Sequence, residues 1–530
     1  MKTNIKSNTI VWLAFGALIF TSCTSKYDEW NVNPYEATEE QMNRDNLKTG
    51  SLFIQMEQNI MTCGKDKTGN YQIIQGLAGD VYSGFMGATN NWKSGRNNTT
   101  YALAEDWYRA GFNESYQYIM NPWLSIKKTA ETQFPGVYAM ATIMKVEGMS
   151  RVTDMYGPIP YTKFGTGALK VSYDTQKDVY YRFFDELDSA ITTLTQLWKT
   201  NNSMTLMASN DFVYGGKIEN WIKFGNSLRL RLAVRISMID QDKAKNEGEA
   251  AMNNEVGVMT KSSESALLTQ SSDLSFNNPL WEICNSFEDV RMGATIDSYM
   301  NGYNDPRVGK YFQAASDGKY HGVRNGIDVV TKQKYTKAPL SRLIFGQGGG
   351  MYWFNAAETY FLRAEGALRG WNMNGTAKEL YEDGIRCSFE QWGAGDASSY
   401  ITNATNVPVD YQDESGDDNS AKAIGNITVA WDENASTAEK LERVITQKYI
   451  ATYPDGQEAW TEFRRTGYPK IFPNVVNYSG GTINTETQIR RLPYPQNEYE
   501  NNTDNVNAAL QLLGGADNGG TRLWWDVANK

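Results

Sequence analysis

Apolar residues recur along much of this chain at intervals of three and four. Val137, Met140, Ala141, Met144 and Gly148 form one such set. Phe183, Leu187, Ala190, Ile191 and Leu194 form a second, and Ala357, Tyr360, Phe361, Ala364 and Leu368 a third. With 3.6 residues per turn each set makes one stripe, so three amphipathic helices are predicted. A fourth runs from Trp221 to Ile239 and carries Arg229, Arg231 and Arg235. Ser436-Thr437-Ala438-Glu439 has the form of a capping box and opens a helix to about Thr452. The turn Trp371-Asn372-Met373-Asn374-Gly375 leads into a helix from Thr376 to about Gln391, which pairs as a hairpin with the helix before it.

Long polar stretches separate these elements. Thr89 to Thr100 is rich in Asn, and Asn253 to Asn278 in Ser, Thr and Asn. Tyr311 to Gly350 holds many Gly and a few β-branched pairs such as Val329-Val330, and Asn403 to Asn434 is rich in Asn and Asp. Loops of this length are usually functional or disordered. No repeat of fixed period and no clean linker stands out. The pattern predicts a helical scaffold carrying large irregular inserts.

The amino terminus has a different character. Lys2 and Lys6 precede an apolar run from Ile10 to Phe20, too short to span ~30 Å of hydrocarbon as a helix and of the right length for a signal peptide. Phe20-Thr21-Ser22-Cys23 then resembles the lipobox of bacterial lipoproteins, with Phe20 in place of the usual Leu. That resemblance implies a signal peptide over 1–22, cleavage before Cys23, diacylglycerol on its sulfur and a lipidated tether over 23–34. Several acyl chains anchor a protein stably without a transmembrane helix. The alternative is an ordinary secretory signal with an incidental Cys. Lys26, Asp28 and Glu29 follow, a loose match to the Lys-acidic stretch of surface-directed lipoproteins in Bacteroidetes.

Composition narrows the function classes. The formal net charge of −10 argues against a nucleic-acid partner. His321 is the only histidine, so a His-rich metal site or an HExxH motif is impossible, and a Ser-His-Asp triad would have to use it. Cys63, Cys284 and Cys387 show no CxxC spacing and read as buried, inert thiols. No cofactor and no metal are expected. The 15 Trp and 31 Tyr suit protein interfaces and sugar rings, although most must be core.

Five segments in order resemble the SusD/RagB family of nutrient-binding outer-membrane lipoproteins. They are Asn31-Val32-Asn33-Pro34, then Asp154 to Tyr161 (DMYGPIPY), then Trp221 to Arg231 (WIKFGNSLRLR). Ala357-Glu358 with Ala364-Glu365 is the fourth, and Gln457-Glu458-Ala459-Trp460 through Phe463 to Pro469 and Arg491 to Pro495 the last. The resemblance implies an all-α, SusD-like fold with four tetratricopeptide-like helix pairs, a single glycan-binding domain over 35–530, and no catalytic activity. It also implies a lipid-anchored position on the cell surface at the outer membrane, and a SusC-type TonB-dependent transporter as partner. The motifs themselves read as frame rather than ligand contacts: Gly157 and two prolines end a helix, and Arg464 and Arg465 lie within pairing distance of Glu458 and Glu462 if helical.

In relatives of this family the glycan is held by the loop after the early helices and by inserts in the middle of the chain. Carried over, the first loop offers Asn90, Asn91, Trp92, Arg96, Asn97 and Asn98, an indole among amides and a guanidinium. Such groups suit stacking on a pyranose and bidentate bonds to its hydroxyls. The alternative is a loop that folds Trp92 under itself. Trp281 and Tyr320 are the candidates from the middle region. The expected ligand contacts are therefore Asn91, Trp92, Arg96, Asn98, Trp281 and Tyr320. Asp410, Asp413, Glu414, Asp417 and Asp418 lack EF-hand spacing and read as a solvated acidic loop rather than a calcium site.

Four functions stay in competition, among them a structural surface protein, which long Asn- and Trp-bearing loops fit less well than they fit recognition. Binding of oligosaccharide or polysaccharide and its delivery to a TonB-dependent transporter leads. A peptide-binding, RagB-like lipoprotein is the alternative. A surface glycoside hydrolase needs only two suitably placed carboxylates among the 61 acidic residues, but no acid/base motif is recognisable.

Overall fold

In a computed structural model of the chain, residues 47–528 are described. The expected signal peptide, Cys23, the expected tether and the Asn31–Pro34 segment lie outside the described residues. Helix dominates. The longer helices are α1 (Leu47–Ile60), α2 (Glu105–Ser115), α3 (Asn121–Ala130), α4 (Pro135–Tyr156) and α5 (Gln176–Thr200). After them come α6 (Ile218–Arg235), α7 (Gln241–Asn253), α8 (Ala294–Gly302), α9 (Ala356–Leu368) and α10 (Ala377–Trp392). Last are α11 (Thr437–Thr452), α12 (Gly456–Thr466) and α13 (Thr503–Leu513). The pairs α4–α5, α6–α7 and α9–α10 pack side by side, α11 lies against α9, and α12 packs on the 72–82 segment, giving an all-α fold. From Leu52 onward the described residues belong to one unit.

Local chemistry explains the boundaries. α4 starts on Pro135, whose missing N–H costs nothing in a first turn, and stops at Gly157, whose φ of 87° only glycine adopts easily. α10 opens on the Thr376–Glu379 capping box and closes on left-handed Gly393; α11 opens on the Ser436–Glu439 box. The helix expected over Trp221 to Ile239 spans Ile218–Arg235 instead, because the chain leaves helical geometry at Ile236 and Asp240 then caps α7.

The family-like motifs meet in one buried ionic network. From α6, Arg231 pairs with Glu358 of α9 at 2.7 Å and Glu147 of α4 at 3.2 Å, and Arg235 with Glu458 and Glu462 of α12. Lys448 of α11 reaches Glu458 at 2.9 Å. Arg465 joins Glu365 at 2.6 Å and Glu462 at 2.7 Å. Burial alone would raise Glu462, but Arg465, Lys448 and Arg235 outweigh it and hold its carboxyl well below the usual range. Burial lifts Glu147 to about 7 against the pull of Arg231 and Arg151. Arg464 lies over the Trp460 ring at 3.5 Å and donates to the carbonyls of Asp154 and Arg490. The charged motif residues thus clamp α4, α6, α9, α11 and α12 together.

Among the described residues two short antiparallel ribbons interrupt the helices. β1 (Met86–Ala88) pairs with β3 (Val290–Met292) in the register Met86 to Met292, and β2 (Ala266–Leu268) pairs with β4 (Met351–Phe354). Trp221, Trp353, Trp460 and Trp525 are fully buried, as expected of most rings. Cys63, Cys284 and Cys387 are buried free thiols, and burial raises all three.

Candidate ligand-binding site

The Asn-rich loop is hung on the β1–β3 ribbon. β1 runs directly into Thr89, whose N–H continues the ladder by donating to the Asp289 carbonyl at 2.9 Å. The Asp289 carboxylate is the hub: it accepts from Asn90 Nδ2 at 2.8 Å, Gln72 Nε2 at 2.7 Å and Lys332 Nζ at 2.6 Å. A loop entering on such a hub leaves the ribbon in one direction.

Beyond Asn90 the loop turns tightly. Lys93 and Ser94 both take positive φ, 55° and 56°, and Gly95 follows at 77°. Left-handed geometry at two successive non-glycine residues is uncommon and is held by bonds from below. Asn97 Nδ2 donates to the Trp92 carbonyl at 3.0 Å, and Thr100 Oγ1 to the Gly95 carbonyl at 2.6 Å. Trp92 is half-buried, one edge set against Trp107 at 5.8 Å in a T-shaped contact. It is thus neither folded under the loop nor free of the core. Lys93 and Asp106 pair at 3.0 Å beside it.

Two distant segments complete the patch. Asn91 Nδ2 donates to the Val330 carbonyl at 3.2 Å, and the Val330 side chain stays 72% exposed. Its segment is held by a small apolar cluster of its own, Val323, Ile327, Val329, Tyr335 and Leu340. Exposed Arg96 stacks on the Tyr478 ring at 4.5 Å, and the Tyr478 hydroxyl donates to Asp328 at 2.7 Å, which raises that phenol above its ordinary value. The result is a surface of one indole, one phenol ring, a guanidinium, an amide and an exposed valine. It supplies apolar faces and planar polar groups side by side, the combination a polyol ring needs.

The sequence candidates divide. Asn91, Trp92 and Arg96 come together here. Asn98 does not reach the surface: it is fully buried, its Oδ1 accepts from Ala104 N–H at 2.8 Å, and it shapes the loop from within. Trp281 is half-buried in a short helical turn whose N–H groups are capped by Asn278. Tyr320 is half-buried over Gly309, and its carbonyl accepts from Asn301 at 2.9 Å. Among the described residues neither ring makes a hydrogen bond or ring contact with the Trp92 loop. Sequence reasoning missed Tyr478, Asp328 and Val330. Only the Val329-Val330 pair carried a signal, an apolar pair in a polar stretch.

The acidic loop has partners of its own. Asp410 pairs with Lys422 at 2.7 Å, Asp413 accepts from Ser415 and Asn419, and Asp417 takes Lys334 and Tyr335. Among the described residues no group of three His, Cys, Asp or Glu is arranged to hold a metal ion.

The family model "Susd and RagB outer membrane lipoprotein" matches residues 29–526. A chitin-binding SusD homologue from Flavobacterium johnsoniae is 42% identical with a TM-score of 0.87, covering 91% of this chain and 99% of that one. A SusD homologue from Bacteroides uniformis is 40% identical with a TM-score of 0.86, covering 91% and 100%. One from Bacteroides vulgatus is 37% identical with a TM-score of 0.85, covering 92% and 99%. No curated protein matches.

Proposed function

The chain belongs to the SusD/RagB family of outer-membrane lipoproteins, and on that premise we propose that it binds oligosaccharide at the cell surface through Asn91, Trp92, Arg96 and Tyr478 and delivers it to a TonB-dependent transporter without cleaving it. The observation that carries this reading is the patch itself. Trp92 and Tyr478 present ring surface beside Arg96 and Asn91, and a solved relative 42% identical is described as chitin-binding. The Asp289 carboxylate already holds three donors, Asp328 accepts from Tyr478 and Asp106 pairs with Lys93, so these three acids around the loop are already engaged. Asn98 is assigned to shaping the loop from within.

Anchoring at Cys23 and a transporter partner complete the proposal. A weak binder gains from being held over a channel mouth, because two sites facing one enclosed volume raise each other's effective concentration. The experiment is a glycan array followed by incubation with the bound sugars. Retention of a glycan with no new reducing ends supports a binder; new reducing ends make it a hydrolase, and absence of any glycan signal refutes the reading. Gentle detergent extraction through a carboxy-terminal tag tests the partner: recovery without a β-barrel removes the delivery step.

A further inference from the structure

A groove beside Phe287 has no role in the reading above. It has a volume of about 560 Å3 and is lined by Lys65, Thr68, Phe276, Asn277, Glu282 and Phe287. Its wall and the Trp92 loop hang on the same hub. The Phe287 carbonyl accepts from Lys332 Nζ, and Lys332 also grips Asp289, the carboxylate that holds Asn90 two positions before Trp92. From the other side Gln72 reaches Asp289, and Thr68 stands about one helical turn, ~5.4 Å, before Gln72. Thr68 Oγ1 in turn donates to the Glu282 carboxylate, tying the two walls together.

The chemistry of the groove matches that of the patch. Phe287 is half-exposed and offers ring surface. Asn277 is exposed; its Oδ1 accepts from Gln347 Nε2 at 3.0 Å, which turns the oxygen toward the protein and leaves both amide hydrogens for a ligand. Lys65 adds an exposed donor and Glu282 an acceptor. Lys65, Asp66 and Glu282 together give no excess of positive charge, so an anionic occupant is disfavoured and a neutral polyol is suited.

We infer that this groove is a second subsite of one oligosaccharide track, in which a single glycan chain runs from Trp92 across the Asp289–Lys332 clasp to Asn277. The inference rests on the oligosaccharide reading above. It makes the protein a reader of chain length: a short sugar fills one subsite, and a longer one fills both without a second cost of association.

The test is calorimetry with chito-, malto-, xylo- and manno-oligosaccharides, each as dimer and hexamer. For the sugar type bound, the hexamer binds at least about tenfold tighter than the dimer. Lys65→Ala/Asn277→Ala removes that gain, leaves dimer affinity unchanged and leaves the melting temperature unchanged, since both side chains are exposed. Equal affinity for dimer and hexamer overturns the track, as does a hexamer affinity untouched by the double substitution. Binding that ignores length yet disappears in Trp92→Ala sinks this inference alone. No binding of any of the four sugar types sinks the oligosaccharide reading with it.

Discussion

Arg465→Ala tests whether the charged motif residues are frame. The guanidinium is fully buried and makes paired bonds to Glu365 at 2.8 and 2.6 Å and to Glu462 at 2.9 and 2.7 Å. Removing it leaves two buried carboxylates short of a partner, although Arg369 still reaches Glu365 and Lys448 still reaches Glu462. Breaking a buried pair from one side typically costs about 3–5 kcal/mol. With an unfolding entropy of about 2.1 cal/mol/K per residue over roughly 480 residues, each kcal/mol shifts Tm by about 1 °C, so a drop of about 3–5 °C is expected. Lys422→Ala, which removes the exposed partner of Asp410, is the control and leaves Tm unchanged. Differential scanning calorimetry measures both, and sugar affinity at 25 °C stays at the wild-type value. A fall of less than 1 °C for Arg465→Ala, or a loss of sugar binding with Tm intact, refutes the frame assignment.

Three further outcomes are expected. Asn98→Ala removes the buried acceptor for Ala104 N–H, costs about 1–3 kcal/mol and lowers Tm; an unchanged Tm with weakened sugar binding would return Asn98 to the contact surface. Burial, reinforced by Asp455, pushes Asp80 up to about 8, and burial takes Glu147 to about 7. Both folded values lie above the ordinary carboxylate value, so their contribution is complete below about pH 4 and is lost as pH rises through 7 to 8. Tm therefore falls from pH 5.5 to 8.5, and Asp80→Asn reduces that slope; an identical slope in the variant contradicts the assignment. Cys23→Ala leaves the protein unacylated and released from the membrane fraction, and retention of acyl chains in that variant would end the lipid-anchor proposal.

The helices were legible because their signals are local. The stripes at 137–148, 183–194 and 357–368, the box at Ser436 and the turn before Thr376 each lie within a few turns of chain, and the helices appear where those signals stand. The site was legible only in part. A Trp among Asn and Arg marks Asn91, Trp92 and Arg96, yet Asn98 has the same residue type and neighbourhood and points inward, because its carboxamide is needed at Ala104. Tyr478 meets Arg96 across 382 positions, and the Lys332 clasp on Asp289 depends on ribbon register. Such contacts have no periodicity to read. Arg464 and Arg465 looked alike in sequence, but one lies against an indole and the other between two glutamates.

The most direct test of the central claim is calorimetry of the wild type and Trp92→Ala with the tightest oligosaccharide found on the array. Sugar hydroxyls lose water before gaining protein bonds, so a wild-type Kd of roughly 10 µM to 1 mM is expected. Trp92→Ala weakens it at least about fivefold, about 1 kcal/mol, with an unchanged fold by circular dichroism. Wild-type affinity in Trp92→Ala contradicts the account and moves the site away from the β1–β3 ribbon.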